Sequence, residues 1–428
     1  MKINNFLNDY LKGDSIPSVH NGNFERDKDN KMKVYYSGPY WDNEEVEAAM
    51  SALLNSKWLS SGQHVHQFEK SFSKKFNLES SLMVNSGSSA NLVMMAALKK
   101  YYDWKDGDEV IVSPVGFPTT IAPIVQNGLT PVFVDIETDT LNFDLLEVEK
   151  KITPKTVAVI LSPVLGNPPD MDMLVQICKL NGVKLILDNC DSLGSKWNGK
   201  YLNEYACAAS CSFYPAHHIS TAEGGMVSGP KDLISLARSF AWWGRDCYCV
   251  GPANLLACGT CGKRFDKWLP EYDGVVDHKY IFTNMGYNVK PLDLQGAIGS
   301  VQLKKFEEIH NNRRTSKKAL GNILNRYKGM RVPEELNNAH TSWFGTPVVC
   351  DIKTKRKLVS HLEEHNIQTR PYFAGNILMH PGYKHLDDYK KYPKATKVLD
   401  TVFFIGSSPH YNDDVFSYVE EVMKKWKG

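Results

Sequence analysis

Short, almost wholly apolar runs alternate with amphipathic stretches over the first 240 residues of the chain. The runs are predicted to be strands at 81–85, 109–113, 131–135, 156–162, 183–188 and 209–214. Helices are predicted at 43–55, 89–102, 118–127, 144–151, 171–181 and 231–240. Because the strand runs do not alternate apolar with polar residues, both of their faces should be covered. This pattern predicts an α/β fold with a mainly parallel, doubly wound sheet.

The pattern also divides the chain into three regions. Residues 1–35 are polar and irregular, which predicts an arm over the surface. Residues 36–310 form a predicted large domain that carries a cysteine-rich insertion at 245–275. A long helical pattern after residue 293 leads into a predicted smaller α/β domain at 311–428.

Composition narrows the class of protein. The chain has 428 residues, 42% of them hydrophobic, which is enough for a large core. Its 50 Lys and Arg residues nearly balance 48 Asp and Glu residues, and no basic stripe is present, so no nucleic-acid partner is expected. The N-terminus lacks the apolar core of a signal peptide.

One uncharged segment, 110–134, is long enough to cross a bilayer. It contains six glycine and proline residues, which favour two buried strands with a loop and a short helix between them. We therefore expect no membrane span and a cytoplasmic protein.

Several predicted strands end in loops that suit a ligand, since open α/β sheets bind ligands at the carboxyl ends of their strands. SGSSAN at 86–91 places small residues before a helix, as in a phosphate cradle or a plain helix cap. Phe117 could stack on a flat ring or pack in the core. Asp188 could pair with a protonated ring nitrogen or cap a helix.

A fourth loop, SFYPAHHISTAEGG at 212–225, joins these signals into one pattern. Together they resemble the pyridoxal-phosphate enzymes of fold type I and, within them, the nucleotide-sugar aminotransferases. In that family a lysine binds the cofactor covalently, and the resemblance implies that His217 occupies the matching position in this chain. No lysine occurs between Lys200 and Lys231. An imidazole cannot hold the cofactor covalently, so the resemblance implies non-covalent pyridoxamine 5′-phosphate (PMP) with His217 as a base. An inactive aminotransferase, or a core histidine pair that includes His218, is the alternative.

The same resemblance assigns further cofactor contacts. Ser88, Ser89 and Ser212 would hold the cofactor phosphate, beside Phe117 and Asp188. In MGYNVKPLDLQGAIG, Asn288 would reach the cofactor phosphate of a neighbouring subunit, which implies a homodimer with shared sites. A loop before an amphipathic helix is the plainer interpretation of that segment.

Cysteine usage adds a second candidate centre. The chain has nine cysteines, an odd number, and no secretory signal, so a disulfide framework is not expected. WGRDCYC and CGKRF resemble the CDP-4-keto-6-deoxyglucose 3-dehydratase family, which implies a 2Fe–2S cluster. Its ligands would be Cys190, Cys247, Cys249 and Cys261. Eleven residues separate Cys249 from Cys261, more than in the family, and they bring in Cys258 as a substitute. A zinc knuckle built from Cys247, Cys249, Cys258 and Cys261 fits the spacing as well.

The resemblance implies a C3 deoxygenation of a CDP-linked 4-keto-6-deoxy sugar. His217 would take a proton from the cofactor's C4′ carbon, and Asp188 would keep the ring protonated. An NAD(P)H-dependent iron–sulfur flavin reductase would supply electrons through the cluster. The product would serve 3,6-dideoxyhexose and O-antigen lipopolysaccharide synthesis. The alternatives are a cluster-free dehydratase, a lysine-dependent aminotransferase, and a non-catalytic scaffold with structural zinc.

Overall fold

The computed structural model describes residues 24–247, 249, 262–266 and 269–428, and its main feature is a seven-stranded sheet. The strands are β1 Ser80–Val84, β2 Glu109–Val112, β3 Thr130–Phe133, β4 Thr156–Leu161, β5 Lys184–Asp188, β8 Ala208–Ser212 and β9 Gly225–Gly229. Their order is β1-β9-β8-β5-β4-β2-β3. The five strands from β8 to β3 run parallel, and β9 is antiparallel to both β1 and β8. The predicted mainly parallel α/β sheet is confirmed.

Helices cover both faces of this sheet. They are α1 Asn43–Asn55, α2 Gln63–Lys75, α3 Gly87–Tyr101, α4 Pro118–Gln126, α5 Leu145–Lys151, α6 Met171–Leu180 and α7 Lys231–Ala241. Six of the seven match the predicted helices within two residues at each end. The exception, α2, is missing from the predictions although Val65, Phe68 and Phe72 have helical spacing and are buried.

The C-terminal part forms a second, antiparallel sheet in the order β10-β12-β14-β13. Its strands are β10 Met330–Arg331, β12 Gly345–Cys350, β13 Thr369–Pro371 and β14 Val402–Gly406. A third, small sheet comprises β6 Lys196–Trp197, β7 Lys200–Tyr201 and β11 Ala339–His340. The helices here are α8 Asp293–Leu324, α9 Ile352–Glu364, α10 Pro393–Thr401 and α11 Asp413–Lys424.

Helix α8 connects the two main sheets. Its 32 residues continue without a break past 310/311, the predicted limit between the large and small domains, which stays a prediction. The helix contacts α1 and α2 near its start and α11 and β12 further along. It can therefore place side chains at the junction between the sheets.

The uncharged segment 110–134 folds as predicted, into β2, α4 and β3. No helix among the described residues is long and apolar enough to cross a bilayer.

Candidate active site

A cavity of about 570 Å³ lies where the strand ends of the large sheet face the second sheet. One side, the sheet-end wall, is formed by Ser86, Gly87, Ser88, Asp188, Cys190, Asp191, Ser212 and His217. The other side, the aromatic wall, is formed by Phe344, Arg370, Pro371, Phe373 and Phe404. Tyr36, Asn91, Phe117, Thr119, Ser162, Val164, Tyr214, Ala216 and Glu223 complete the lining. The volume suits a small organic ligand.

The N-terminus of α3 forms a small cradle on the sheet-end wall. Ser86 caps the helix, and its hydroxyl accepts a hydrogen bond from the Ser89 backbone N–H at 3.1 Å. A Cβ on Gly87 would lie 2.5 Å from the Ser212 Cβ, so only glycine lets the helix approach the end of β8 this closely. Ser88 is exposed to the cavity, with its hydroxyl 3.1 Å from that of Thr119. Such a helix start favours a phosphate group.

Asp188 ends β5 and is buried, with 3% of its surface exposed. Its Oδ2 accepts hydrogen bonds from Asn91 Nδ2 at 2.9 Å and Thr120 Oγ1 at 2.6 Å. Its Oδ1 accepts from the Cys190 backbone N–H at 3.2 Å and from Ser210 Oγ at 3.4 Å. These donors fix the carboxylate at the edge of the cavity, where it can accept a hydrogen bond from a protonated ring nitrogen.

His217 lines the cavity in the turn after β8, and 15% of its side chain is exposed. Burial lowers its pKa to about 3, and the Arg313 guanidinium adds to this effect. The imidazole is therefore neutral at pH 7 and has a lone pair available to accept a proton.

Asp191 is a cavity residue that the sequence interpretation missed. Its Oδ1 lies 3.6 Å from His217 Nδ1, which is too far for a hydrogen bond. Burial, followed by the charge of Asp188, raises the pKa of Asp191 to about 8. Burial therefore favours the neutral form of this carboxyl and weakens Asp191 as a charged partner for His217. Its position three residues after Asp188 was the available signal.

Arg313 was also missed, and it positions the His217 turn from α8. Its fully buried guanidinium donates to the backbone oxygens of Ala216 at 2.9 Å, His217 at 3.0 Å and Phe344 at 3.0 Å. It thereby joins the turn that carries His217 to the aromatic wall. The neighbouring His218 is buried, and its Nε2 lies 2.9 Å from the Ser342 backbone oxygen, as a structural residue would.

The predicted cofactor residues divide into two groups. Ser88, Phe117, Asp188 and Ser212 line the cavity together with His217. Phe117 is 52% exposed, and its ring is edge-on to Phe373.

Ser89 and Asn288 do not belong to this lining. The Ser89 hydroxyl accepts from Ser86 Oγ at 3.0 Å, inside the helix cap. Asn288 is exposed on the surface, where Lys290 donates to its side-chain oxygen.

The predicted cluster ligands are only partly described. Cys190 lines the cavity, while Cys247 and Cys249 are buried with their thiols in hydrogen-bond contact. Cys258 and Cys261 lie outside the described residues. Within the described ranges, no three His, Cys, Asp or Glu side chains gather closely enough to hold a metal ion. The described part of the chain therefore does not assemble a cluster site.

The fold and the cavity define the class of protein: the chain has the architecture of the pyridoxal-phosphate enzymes of fold type I. It belongs to the DegT/DnrJ/EryC1/StrS aminotransferase family, whose model matches residues 41–424.

The chain is also similar to individual members of this family. The chain is 37% identical over 396 residues to a dTDP-4-dehydro-2,6-dideoxy-D-glucose 3-dehydratase of Saccharopolyspora spinosa, covering 90% of this chain and 84% of that one. It is 34% identical to the lipopolysaccharide biosynthesis protein RfbH of Salmonella typhimurium, covering 92% and 91%. Among solved structures, GDP-4-keto-6-deoxy-D-mannose-3-dehydratase of E. coli with bound hydrated PLP superposes with a TM-score of 0.79 at 29% identity, covering 91% and 98%.

The residues present fit a pyridoxal-type cofactor. The α3 cradle suits its phosphate, Asp188 suits its ring nitrogen, and Phe117 suits the face of its ring. Two buried polar atoms of lining residues, Asn91 Oδ1 and His217 Nδ1, have no hydrogen-bond partner among the described residues. Unsatisfied atoms of this kind are expected where a ligand completes a site.

Proposed function

We propose that the chain is a PMP-dependent enzyme that removes the C3 hydroxyl of a nucleotide-linked 4-keto-6-deoxyhexose. The observation that carries the proposal is His217: a neutral imidazole faces the cavity, and no lysine is among the described residues that line it. A cofactor bound there without a covalent link to lysine suits dehydration. The relatives named 3-dehydratases support the same reaction class.

Bound PMP supplies an amine that can join the C4 carbonyl of the sugar and a ring that can take up electrons from C4′. The side chains of the sheet-end wall then have separate roles. Ser88, Ser212 and the start of α3 hold the phosphate, and Asp188 holds the ring nitrogen protonated. His217 accepts the proton that leaves C4′, while the aromatic wall limits access of water.

For the carrier we propose CDP, on the resemblance of WGRDCYC and CGKRF to CDP-sugar dehydratases. The named relatives act on a dTDP sugar and a GDP sugar, so the carrier is the part of the proposal that a substrate panel tests first. The relative named for lipopolysaccharide biosynthesis supports a role in making 3,6-dideoxyhexoses for O-antigen.

We also propose a homodimer in which Asn288 reaches the partner subunit's cofactor phosphate. Near Asn288 the surface exposes large apolar side chains, including Met285 (94%), Phe282 (53%) and Leu292 (51%). Leu59 is 51% exposed and adjoins Leu292 through the Ser60–Leu292 bridge. An apolar surface of this kind favours contact with another protein surface.

The last part of the proposal is a 2Fe–2S cluster held by Cys190, Cys247, Cys249 and Cys261, with Cys258 as the substitute ligand. Four thiolates are the usual ligand set for such a cluster, which transfers single electrons. The adjacent thiols of Cys247 and Cys249 support it, whereas Cys190, at the cavity, does not gather with them among the described residues. A separate NAD(P)H-dependent iron–sulfur flavin reductase would be the electron donor.

The test of the reaction is incubation of the PMP-loaded chain with CDP-, dTDP- and GDP-linked 4-keto-6-deoxyhexoses and a reducing system. We expect a C3-deoxygenated product from one carrier with the wild type and none with His217→Gln. A 4-amino sugar formed with glutamate, together with borohydride capture of the cofactor on a lysine, would contradict the proposal.

The cluster has its own test. Anaerobic purification should give a brown protein with equal amounts of iron and acid-labile sulfide, and Cys258→Ser and Cys261→Ser should identify the fourth ligand by iron content. Stoichiometric zinc without iron, or turnover without any reductase, would contradict the cluster.

A further inference from the structure

Arg370 is the cation of the aromatic wall, and the mechanism above gives it no role. It lies on β13, opposite Phe404 of β14, and lines the cavity together with Pro371, Phe373 and Phe404. Among the described residues, no carboxylate forms an ion pair with Arg370, although Asp188, Asp191 and Glu223 line the same cavity. A partly buried cation on an apolar wall is costly unless an anion compensates it.

The local contacts hold the guanidinium in place. Nη1 donates to the Thr369 backbone oxygen at 2.7 Å, and Cζ lies 4.2 Å from the centre of the Tyr36 ring. These contacts use only some of the five guanidinium N–H groups, so donors remain for an oxyanion.

Arg370 lies on the aromatic wall, whereas the α3 cradle, which suits the cofactor phosphate, lies on the sheet-end wall. Tyr214 lies in the His217 turn, with its ring centre 6.4 Å from that of His217, and it lines the cavity together with Tyr36 and Arg370. A sugar whose C3 and C4 lie at His217 can therefore extend its C1 substituent within the same cavity toward Arg370.

We propose that Arg370, supported by Tyr36, binds the diphosphate of the nucleotide-linked substrate. This inference rests on the proposed function and deepens it by assigning the oxyanion subsite. A planar guanidinium can form two parallel charge-assisted hydrogen bonds to one phosphate. Its loss should therefore weaken binding of a nucleoside diphosphate far more than binding of the corresponding nucleoside.

The test is isothermal titration of the PMP-loaded full chain with CDP, dTDP and GDP, and with cytidine, thymidine and guanosine as phosphate-free probes. Arg370→Gln should weaken the best nucleoside diphosphate by about 10- to 100-fold, the range expected for hydrogen bonds to charged groups. Arg370→Lys should lose less of the diphosphate affinity. In both variants the affinities for the nucleoside and for PMP should stay within about twofold of the wild type. Arg326→Gln, which removes an exposed pair with Glu420, is the matched control and should change nothing.

Other results would contradict either the role of Arg370 or the proposed function. An unchanged diphosphate affinity in Arg370→Gln overturns this inference alone, as does an equal loss of nucleoside and diphosphate. When L-glutamate is titrated in the same way, its loss of binding to Arg370→Gln with retained diphosphate binding would reassign Arg370 to a carboxylate. If Arg370→Gln does not fold, Arg370→Lys carries the comparison. If the wild type binds none of the three diphosphates, the proposed function fails together with the inference.

Discussion

The sheet-end wall of the cavity consists of strand ends and a helix N-terminus, whereas the aromatic wall consists of three phenylalanine rings, one proline and one arginine. The first wall presents polar groups whose positions are fixed by backbone and buried hydrogen bonds, as at Asp188. The second presents apolar surface from the antiparallel sheet. The difference indicates that the chemistry is supplied from the parallel sheet, while the second sheet encloses the ligand and binds the part of it that does not react.

Among the predicted substitutions, the largest effect is expected at the contact between the two walls. Arg313→Met removes the link between the His217 turn and Phe344 and leaves the backbone oxygens of these two residues without their donor, while the Ala216 oxygen keeps the Ser37 hydroxyl. We expect a loss of about 2–6 kcal/mol in the free energy of unfolding, measured by denaturant titration, at about 1–3 kcal/mol for each oxygen left without a donor. Arg314→Met, which removes a partly exposed pair with Glu335, is the neighbouring control and should cost much less. Equal losses in both variants would refute the linking role.

On the sheet-end wall, Asp188→Asn should lower turnover by about 10- to 1000-fold. A carboxylate beside a cation shifts the pKa of that cation by about 1–3 units, and the ring nitrogen would lose this support. Single-turnover rates with saturating PMP measure the effect. Asp170→Asn, which alters only the cap of α6, serves as control. Turnover at the wild-type rate in Asp188→Asn would show that this carboxylate does not support the ring.

The two walls also differ in how well the sequence predicted them. Asp188, Ser212 and the 86–91 loop could be predicted because parallel strands bring their carboxyl ends to one edge, whatever the details of packing. The aromatic wall could not, because its residues come from β13, β14 and the segments beside β12 and β13, and they reach the cavity only through the packing of two sheets. Arg313 had one available signal: it lies four residues after Ile309 and seven before Leu320, on the buried face of α8.

A smaller effect is expected from the α3 cradle. In Gly87→Ala the new Cβ would lie 2.5 Å from the Ser212 Cβ, which forces the helix start away from β8. Overpacking of this kind costs about 1–3 kcal/mol, and we expect PMP affinity to fall by about tenfold or more. Fluorescence titration with PMP measures it. Gly382→Ala, where a Cβ meets no atom within 4 Å, should bind PMP normally. Unaltered PMP affinity in Gly87→Ala would argue against a phosphate at this helix start.

The smallest expected effect is a difference in PMP affinity between substitutions of two adjacent serines. Ser88 faces the cavity and Ser89 is engaged in the helix cap, although the resemblance assigned both to the phosphate. Ser88→Ala should weaken PMP binding by about 2- to 10-fold, the value of one hydrogen bond. Ser89→Ala should leave PMP affinity unchanged in the same titration. A larger loss in Ser89→Ala than in Ser88→Ala would reverse the assignment.

The central claim, that His217 takes a proton from C4′ of bound PMP, can be measured on that carbon directly. PMP deuterated at C4′ is bound to the chain, the keto sugar is added, and the recovered cofactor is analysed by mass spectrometry. The account predicts that deuterium washes out into solvent with the wild type and is retained with His217→Gln, while both proteins bind PMP. Wash-out at the same rate in His217→Gln would contradict it.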